Sequence, residues 1–284
     1  MRVNIFTILF FVSFFGFSQI KTPQPSPSSK LEQMVGLTEI EVEYNRPSKR
    51  GRVIFGDLVP FGKLWRTGAN SSTKISFSTG VEINGNKIKE GTYSIFSIPN
   101  KTNWDIILYS DAELWGVPKD WDNKKIVFKS NYNSLKFNSG NELETFTISI
   151  NNVSNNYFDL SIAWDDTYVK LRIDVPSRQM VESSIESAMN DSPKASDYYV
   201  AAVYYRQENI KLDIALKWIN KAMEMTENPQ FFQLRQQSLI MAANGDYKDA
   251  IEVAKKSLEL SIEADNQDYV KMNNESIDGW SKKL

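Results

Sequence analysis

One change of period constrains this chain more than any other feature. Apolar residues alternate with polar ones from about Leu31 to Val175, and after Pro176 they recur at helical spacing. A period of two buries one face of a strand, whereas a period of 3.6 buries one stripe of a helix. Two long, separate stretches of this kind predict two domains rather than one mixed core. In the first stretch Ile40, Val42 and Tyr44 alternate with Glu39, Glu41 and Glu43, and Ile75 and Phe77 with Ser76 and Ser78. Val81 and Ile83 lead into Asn84-Gly85, a strong hairpin signal, with Ile88 on the return. About nine short strands separated by Gly, Asn and Ser turns predict an all-β antiparallel sandwich or barrel over residues 30–176.

The second stretch predicts an all-α tail over residues 191–284, joined by a linker at 177–190. Leu212, Ala215, Leu216, Ile219, Ala222 and Met223 form one stripe, and Tyr247, Ala250, Ile251, Ala254, Ser257 and Leu258 repeat it 35 residues later. Asn228-Pro229 signals a helix start between them, and Asn244-Gly245 a stop. The spacing and the small residues resemble tetratricopeptide-type helical hairpins, whose period is about 34. An ordinary helical bundle is the alternative.

The N-terminus predicts export. Arg2 precedes an apolar run from Ile5 to Phe17, 13 residues long, and Gly16-Phe17-Ser18 offers small residues before a cleavage at Gln19. The run is shorter than the roughly 20 residues that span a bilayer, so residues 1–18 read as a signal peptide rather than an anchor. Residues 19–29 read as a Pro/Ser linker, and the expected location is periplasmic or secreted.

Composition then narrows the chemistry. The sequence has no histidine and no cysteine, which removes Ser-His-Asp triads, thiol nucleophiles, disulfides and Cys/His zinc sites. No cofactor and no metal site are expected. The 33 Lys+Arg against 35 Asp+Glu, net −2, do not suit a broad phosphate-backbone binder, so nucleic acid is not an expected partner.

Against that background residues 44–70 stand out, because the alternation stops there. Arg46, Lys49, Arg50, Arg52 and Arg66 crowd together with Tyr44, Phe55, Phe61 and Trp65, and Asp57 is the only acid in the stretch. A guanidinium grips carboxylate or phosphate with two parallel hydrogen bonds and stacks on aromatic faces. Arg46, Arg52, Trp65, Arg66 and Asn70 are therefore the candidate ligand-binding residues, for an anionic or polar small molecule or glycan. The competing reading is structural: glycines and prolines shape a long connection, and the arginines staple it to acidic strand faces.

The strings Arg46-Pro47, Gly51-Arg52-Val53-Ile54-Phe55-Gly56 and Pro60-Phe61-Gly62-Lys63-Leu64-Trp65-Arg66-Thr67-Gly68-Ala69-Asn70 resemble the family known as domain of unknown function 2911. Gly91-Thr92-Tyr93-Ser94-Ile95-Phe96, Trp104 and Trp115-Gly116 are similar to its later blocks, so the resemblance covers about Ser28 to Val175. It implies exported Gram-negative proteins, often with a helical tail, and supplies no reaction.

Weaker signals are best explained locally. Asp120-Trp121-Asp122-Asn123 reads as a solvated turn rather than a calcium loop. Asp165-Asp166 reads as turn residues, and Ser71 with Lys74 lies at a strand entry rather than on a helix. Trp104, Trp115, Trp121 and Trp164 read as core or rim packing. The leading expectation is an exported binding protein whose helical tail contacts a protein partner. The alternative is a His- and Cys-independent hydrolase of glycan or ester substrates, in which Asp57 would work with Glu90 or Asp165.

Overall fold

The computed structural model describes residues 22–284; the expected signal peptide and its cleavage site lie outside them. The chain divides at Ser177 into a β unit and a helical unit.

The β unit contains twelve strands: β1 Ser28–Val35, β2 Thr38–Asn45, β3 Thr73–Phe77, β4 Val81–Ile83, β5 Asn86–Ile88, β6 Gly91–Pro99, β7 Asn103–Tyr109, β8 Ile126–Asn133, β9 Leu135–Lys136, β10 Leu143–Asn151, β11 Tyr157–Asp165 and β12 Thr167–Asp174. They form two open antiparallel sheets, ordered β1-β2-β3-β6-β7-β8 and β10-β11-β12-β4-β5, with β9 against β12. The arrangement is a sandwich rather than a closed barrel. Two strands run beyond what the sequence pattern marks. β9 is two residues long, and β1 begins inside the expected Pro/Ser linker, with Ser28 opposite Asn45 and Ser29 opposite Tyr44. Serines at a strand end are held by main-chain pairing, which composition does not reveal.

The core between the sheets is formed by the alternating residues, among them Ile40, Val42, Ile75, Phe158, Leu160 and Ile162. The first sheet is also covered on its outer side. Tyr93 to Ser97 are consecutively buried on β6, because Ile95 faces the core while Phe96 faces a second cluster with Ile107 and Tyr109. Leu64, Leu114 and Trp121 cover that second cluster. Two long connections therefore lie over the sheet: residues 46–72 between β2 and β3, and residues 110–125 between β7 and β8.

The first of these connections is docked along its length. At its start, the main-chain N–H groups of Lys49 and Phe146 donate to Glu144 O and Pro47 O, at 2.6 and 2.9 Å. The segment thus covers the exposed edge of β10, a device that blunts edge-to-edge pairing. The β10–β11 register slips between Leu143 and Thr147, which turns residues 144–146 toward this partner. Arg46 clamps the same edge: Nε donates to Phe146 O at 3.0 Å and Nη2 to Thr147 Oγ1 at 2.9 Å. Tyr44, just before it, donates to Ile148 O and accepts from Ile148 N–H, each at 3.1 Å, tying β2 to β10.

The helical unit contains α1 Ser177–Asn190, α2 Ala195–Gln207, α3 Leu212–Glu224, α4 Phe231–Ala243, α5 Tyr247–Glu263 and α6 Gln267–Ser281. The segment expected as a linker, 177–190, is thus a helix. Its serines hide a narrow stripe of Val181, Ile185 and Met189, and Ile185 packs on the cluster around Ala202 and Tyr205. α2 packs on α3, α4 on α5 and α5 on α6, with α4 also touching α2 and α6, a stack of helical hairpins. Small residues Ala215, Ala222, Ala250, Ala254 and Ser257 are fully buried where the helices meet. Asn273 is also fully buried. It accepts from Arg235 Nη1 at 3.1 Å and donates to Ser257 Oγ at 2.9 Å, linking α6 to α4 and α5. Burial pushes the Arg235 pKa down, and Asn273 with Ser276 Oγ supplies its acceptors.

Two substitutions test these anchors. Arg46→Ala strips hydrogen bonds from the β10 edge and is expected to lower stability by about 1–3 kcal/mol, read as a lower urea midpoint. Asn273→Leu leaves Arg235 and Ser257 without their shared partner, and a loss of about 2–3 kcal/mol is expected in the helical circular dichroism transition.

Candidate functional site

Where β3 has not yet begun, the connection takes its place beside β6. Trp65 N–H donates to Ser97 O at 2.8 Å and Ser97 N–H to Trp65 O at 2.9 Å. Strand-like alternation follows from that pairing: Leu64 packs on the outer cluster, whereas Trp65 packs on the core. The Trp65 ring meets Phe55, Trp104, Phe146 and Trp164, with the nearest centroid at 5.4 Å and the Trp164 ring nearly parallel at 19°. Its Nε1–H donates to Gly68 O at 3.1 Å.

The chain then turns sharply. Thr67 sits at φ 54°, Gly68 at φ 146° and Asn70 at φ 59°. Gly68 is required twice over, by its positive φ and because a Cβ there would lie 3.2 Å from Asn45 O. Thr67 is β-branched and fully buried in a left-handed conformation, a costly state for such a residue. Its hydroxyl bonds Ser97 Oγ at 2.8 Å and its carbonyl accepts from Thr73 Oγ1, which hold it there.

This path opens a cleft of about 510 Å³. Trp65 and Trp164 line it from the core side, while Leu58, Val59, Leu64 and Val117 add apolar wall. Arg50, Arg52, Lys63 and Arg66 line it as well, and among the described residues no carboxylate does. Arg52 is braced by its own loop: Nε donates to Lys49 O at 3.0 Å and Nη2 to Ser48 O at 2.6 Å. Arg50 Nη2 donates to Pro25 O at 3.2 Å. Arg66 differs from both. Its Nε is buried without a hydrogen-bond partner, and it forms no ion pair among the described residues.

Of the five candidate residues, the structure brings Arg52, Trp65, Arg66 and Asn70 to this one cleft. It does not bring Arg46, whose guanidinium is occupied on β10. Lys49 also points elsewhere, to Asp165, whose carboxylate outweighs desolvation and holds the ammonium pKa above its ordinary value. Sequence reasoning passed over Arg50 and Lys63 as lining residues, although both lie in the basic stretch. It also missed Trp164 and Val117, which reach the cleft through tertiary packing and carry no local signal.

The weaker candidates resolve locally. Asp57 is exposed and lies outside the cleft lining. Asp122 Oδ1 caps a short turn by accepting from Lys124 N–H at 2.9 Å, and no cluster of three potential metal ligands occurs among the described residues. Ser71 Oγ accepts from Asn45 Nδ2 at 3.1 Å, and Lys74 pairs with Glu113 at 2.7 Å. Trp104 and Trp164 are buried, and Trp121 stacks on Tyr109 at 4.4 Å. Trp115 departs from the packing expectation, being 79% exposed. Among the described residues, no helix is long and apolar enough to cross a membrane.

No curated protein and no solved structure matches the chain. A family model, described as Protein of unknown function (DUF2911), matches residues 26–173. That stretch is just over half of the 284 residues and, Pro25 aside, holds the whole lining of the cleft. The chain belongs to the DUF2911 family.

Proposed function

We propose that this chain is an exported binding protein whose β unit captures an anionic ligand in the Trp65–Arg66 cleft. One observation carries the reading: four cationic side chains line a cleft backed by two indole rings, and no carboxylate among the described residues lines it with them. Like charges gathered without a counterion raise the local potential and favour an anion from solution. Arg66 supports this most directly, since it lines the cleft and forms no ion pair among the described residues, so a bound oxyanion would supply the counter-charge its guanidinium lacks. Trp65, half-buried where Trp164 is covered, gives an apolar floor on which the ligand is oriented. Hydrolysis by paired carboxylates has no such support, because Asp57 is outside the cleft lining and Asp165 is engaged by Lys49.

Export rests on the Arg2 and Ile5–Phe17 pattern. A protein partner for the helical unit rests on its stack of paired helices, whose 35-residue spacing is similar to tetratricopeptide-type hairpins.

The test is titration calorimetry of the purified protein with sulfate, phosphate and glucuronate. Arg66→Ala is expected to weaken the anion that binds at least tenfold, about 1.4 kcal/mol, without lowering the melting temperature. Lys49→Ala is expected to leave the affinity unchanged, because Asp165 already takes that charge. Affinity should also fall as salt rises from ~0.01 to ~0.15 M, since the Debye length shortens from roughly 30 to 8 Å. Binding that is indifferent to Arg66, or no anion bound by folded protein, overturns the reading.

A further inference from the structure

A second cleft, of about 470 Å³, adjoins the first. The two share a wall. Asn70 lines the first and Ser71 the second, and Asn70 Nδ2 donates to Asn45 Oδ1, on the second side, at 3.3 Å. The 110–125 connection supplies the rest of the wall. Trp115 lines the second cleft and Val117 the first, while a Cβ on Gly116 between them would lie 3.3 Å from Arg66 Nη1. The Arg66 guanidinium therefore reaches the wall itself.

The chemistry changes across that wall. The first cleft presents cations without acids. The second mixes Lys30 and Lys74 with Glu43 and Glu113, and adds Ser28 and Asn45. Lys74 is paired with Glu113 at 2.7 Å and Lys30 with Glu41 at 3.0 Å, so this cleft offers balanced polar groups rather than free charge, which suits groups that both donate and accept, as hydroxyls do. The indole beside them is 79% exposed, although its backbone is fixed: Trp115 bridges Ser71, and Leu114 O accepts from Ser72 N–H at 2.9 Å. A large flat apolar face held in water next to hydroxyl-matching groups fits one face of a sugar ring, whose C–H groups are apolar and whose rim is polar.

We propose that the ligand is an acidic oligosaccharide: its anionic group sits on Arg66 in the first cleft, and the adjoining sugar stacks on Trp115 in the second. This rests on the anion-binding reading of the first cleft and specifies what lies beyond it. Free anions and peptides made of acidic residues alone share the charge but have no ring for the indole.

The experiment begins by screening the purified full chain on an array of uronic, sulfated and sialylated glycans beside a poly-glutamate peptide. Calorimetry then compares the bound glycan with its acidic monosaccharide. The glycan is expected to bind at least tenfold tighter than the monosaccharide, with a blue shift of tryptophan emission as Trp115 leaves water. Trp115→Ala should reduce the glycan to monosaccharide affinity and abolish the shift, while leaving monosaccharide binding unchanged; Trp115→Phe should restore most of the difference. Arg66→Ala should weaken both ligands. Equal affinity for glycan and monosaccharide overturns the proposal, as does an unaltered glycan affinity in Trp115→Ala or poly-glutamate binding as tightly as any glycan. If sulfate or phosphate binds through Arg66 but no glycan does, this proposal falls while the anion-binding reading stands. If nothing acidic binds, both fall.

Discussion

Fixing a loose backbone costs roughly 1–2 kcal/mol per residue, and the 46–72 connection must meet that cost with almost no regular secondary structure of its own. Trp65 is the main offset. Its main chain extends the sheet beside Ser97, and its ring sits among Phe55, Trp104, Phe146 and Trp164. Burying an indole and adding several favourable ring pairs contributes on the order of a few kcal/mol. Arg46 and Pro47 hold the other end of the segment on β10. Anchored at both ends, the residues between can adopt conformations that a free loop would not hold. Thr67 at φ 54° is the clearest of these, since it is kept in place by Ser97 and Thr73 rather than by its own preference.

The arginines show how the same side chain serves two ends. Arg46 spends its guanidinium on Phe146 O and Thr147 Oγ1, and Arg235 spends its own on Asn273 and Ser276. Both are part of the scaffold. Arg66 has neither a carboxylate nor a carbonyl for its Nε, although it is no less enclosed at that atom. A fold optimised only for stability would satisfy or remove such a group, because an unpaired buried donor costs about 1–3 kcal/mol. Trp104 Nε1 and Arg206 Nε are buried without partners as well, so what sets Arg66 apart is its place on the cleft beside the strained Thr67 turn.

The period-two and period-3.6 stretches carried the two-unit architecture, because each reports a buried face directly. Ile40, Val42 and Tyr44 could belong only to a half-buried strand, and Leu212 to Met223 only to a helix. Legibility failed where burial was not one-sided or pairing was not local. β6 is buried on both faces because loops cover the sheet, so Phe96 and Ile95 show no alternation. β1 begins in serines and α1 is diluted by them, so neither announces itself. The basic stretch was legible as a candidate site, but Arg46 and Arg66 were indistinguishable within it. Their roles diverge through a contact with β10 a hundred residues away in sequence, and nothing local to either arginine encodes it.

The same reasoning bears on Trp115. A tryptophan in a loose loop would find apolar cover by moving, and its exposure would then mean little. Here both neighbours are committed: Leu114 packs on the outer cluster of the first sheet, and Gly116, at φ 82°, lies against Arg66. Any larger residue at position 116 would strain the backbone and crowd the guanidinium by a few tenths of an ångström. The packing of the sheet's outer face thus fixes the indole in water and the arginine at the wall in a single arrangement. A ligand meeting them would find little left to order, which is the condition under which modest contacts produce useful affinity.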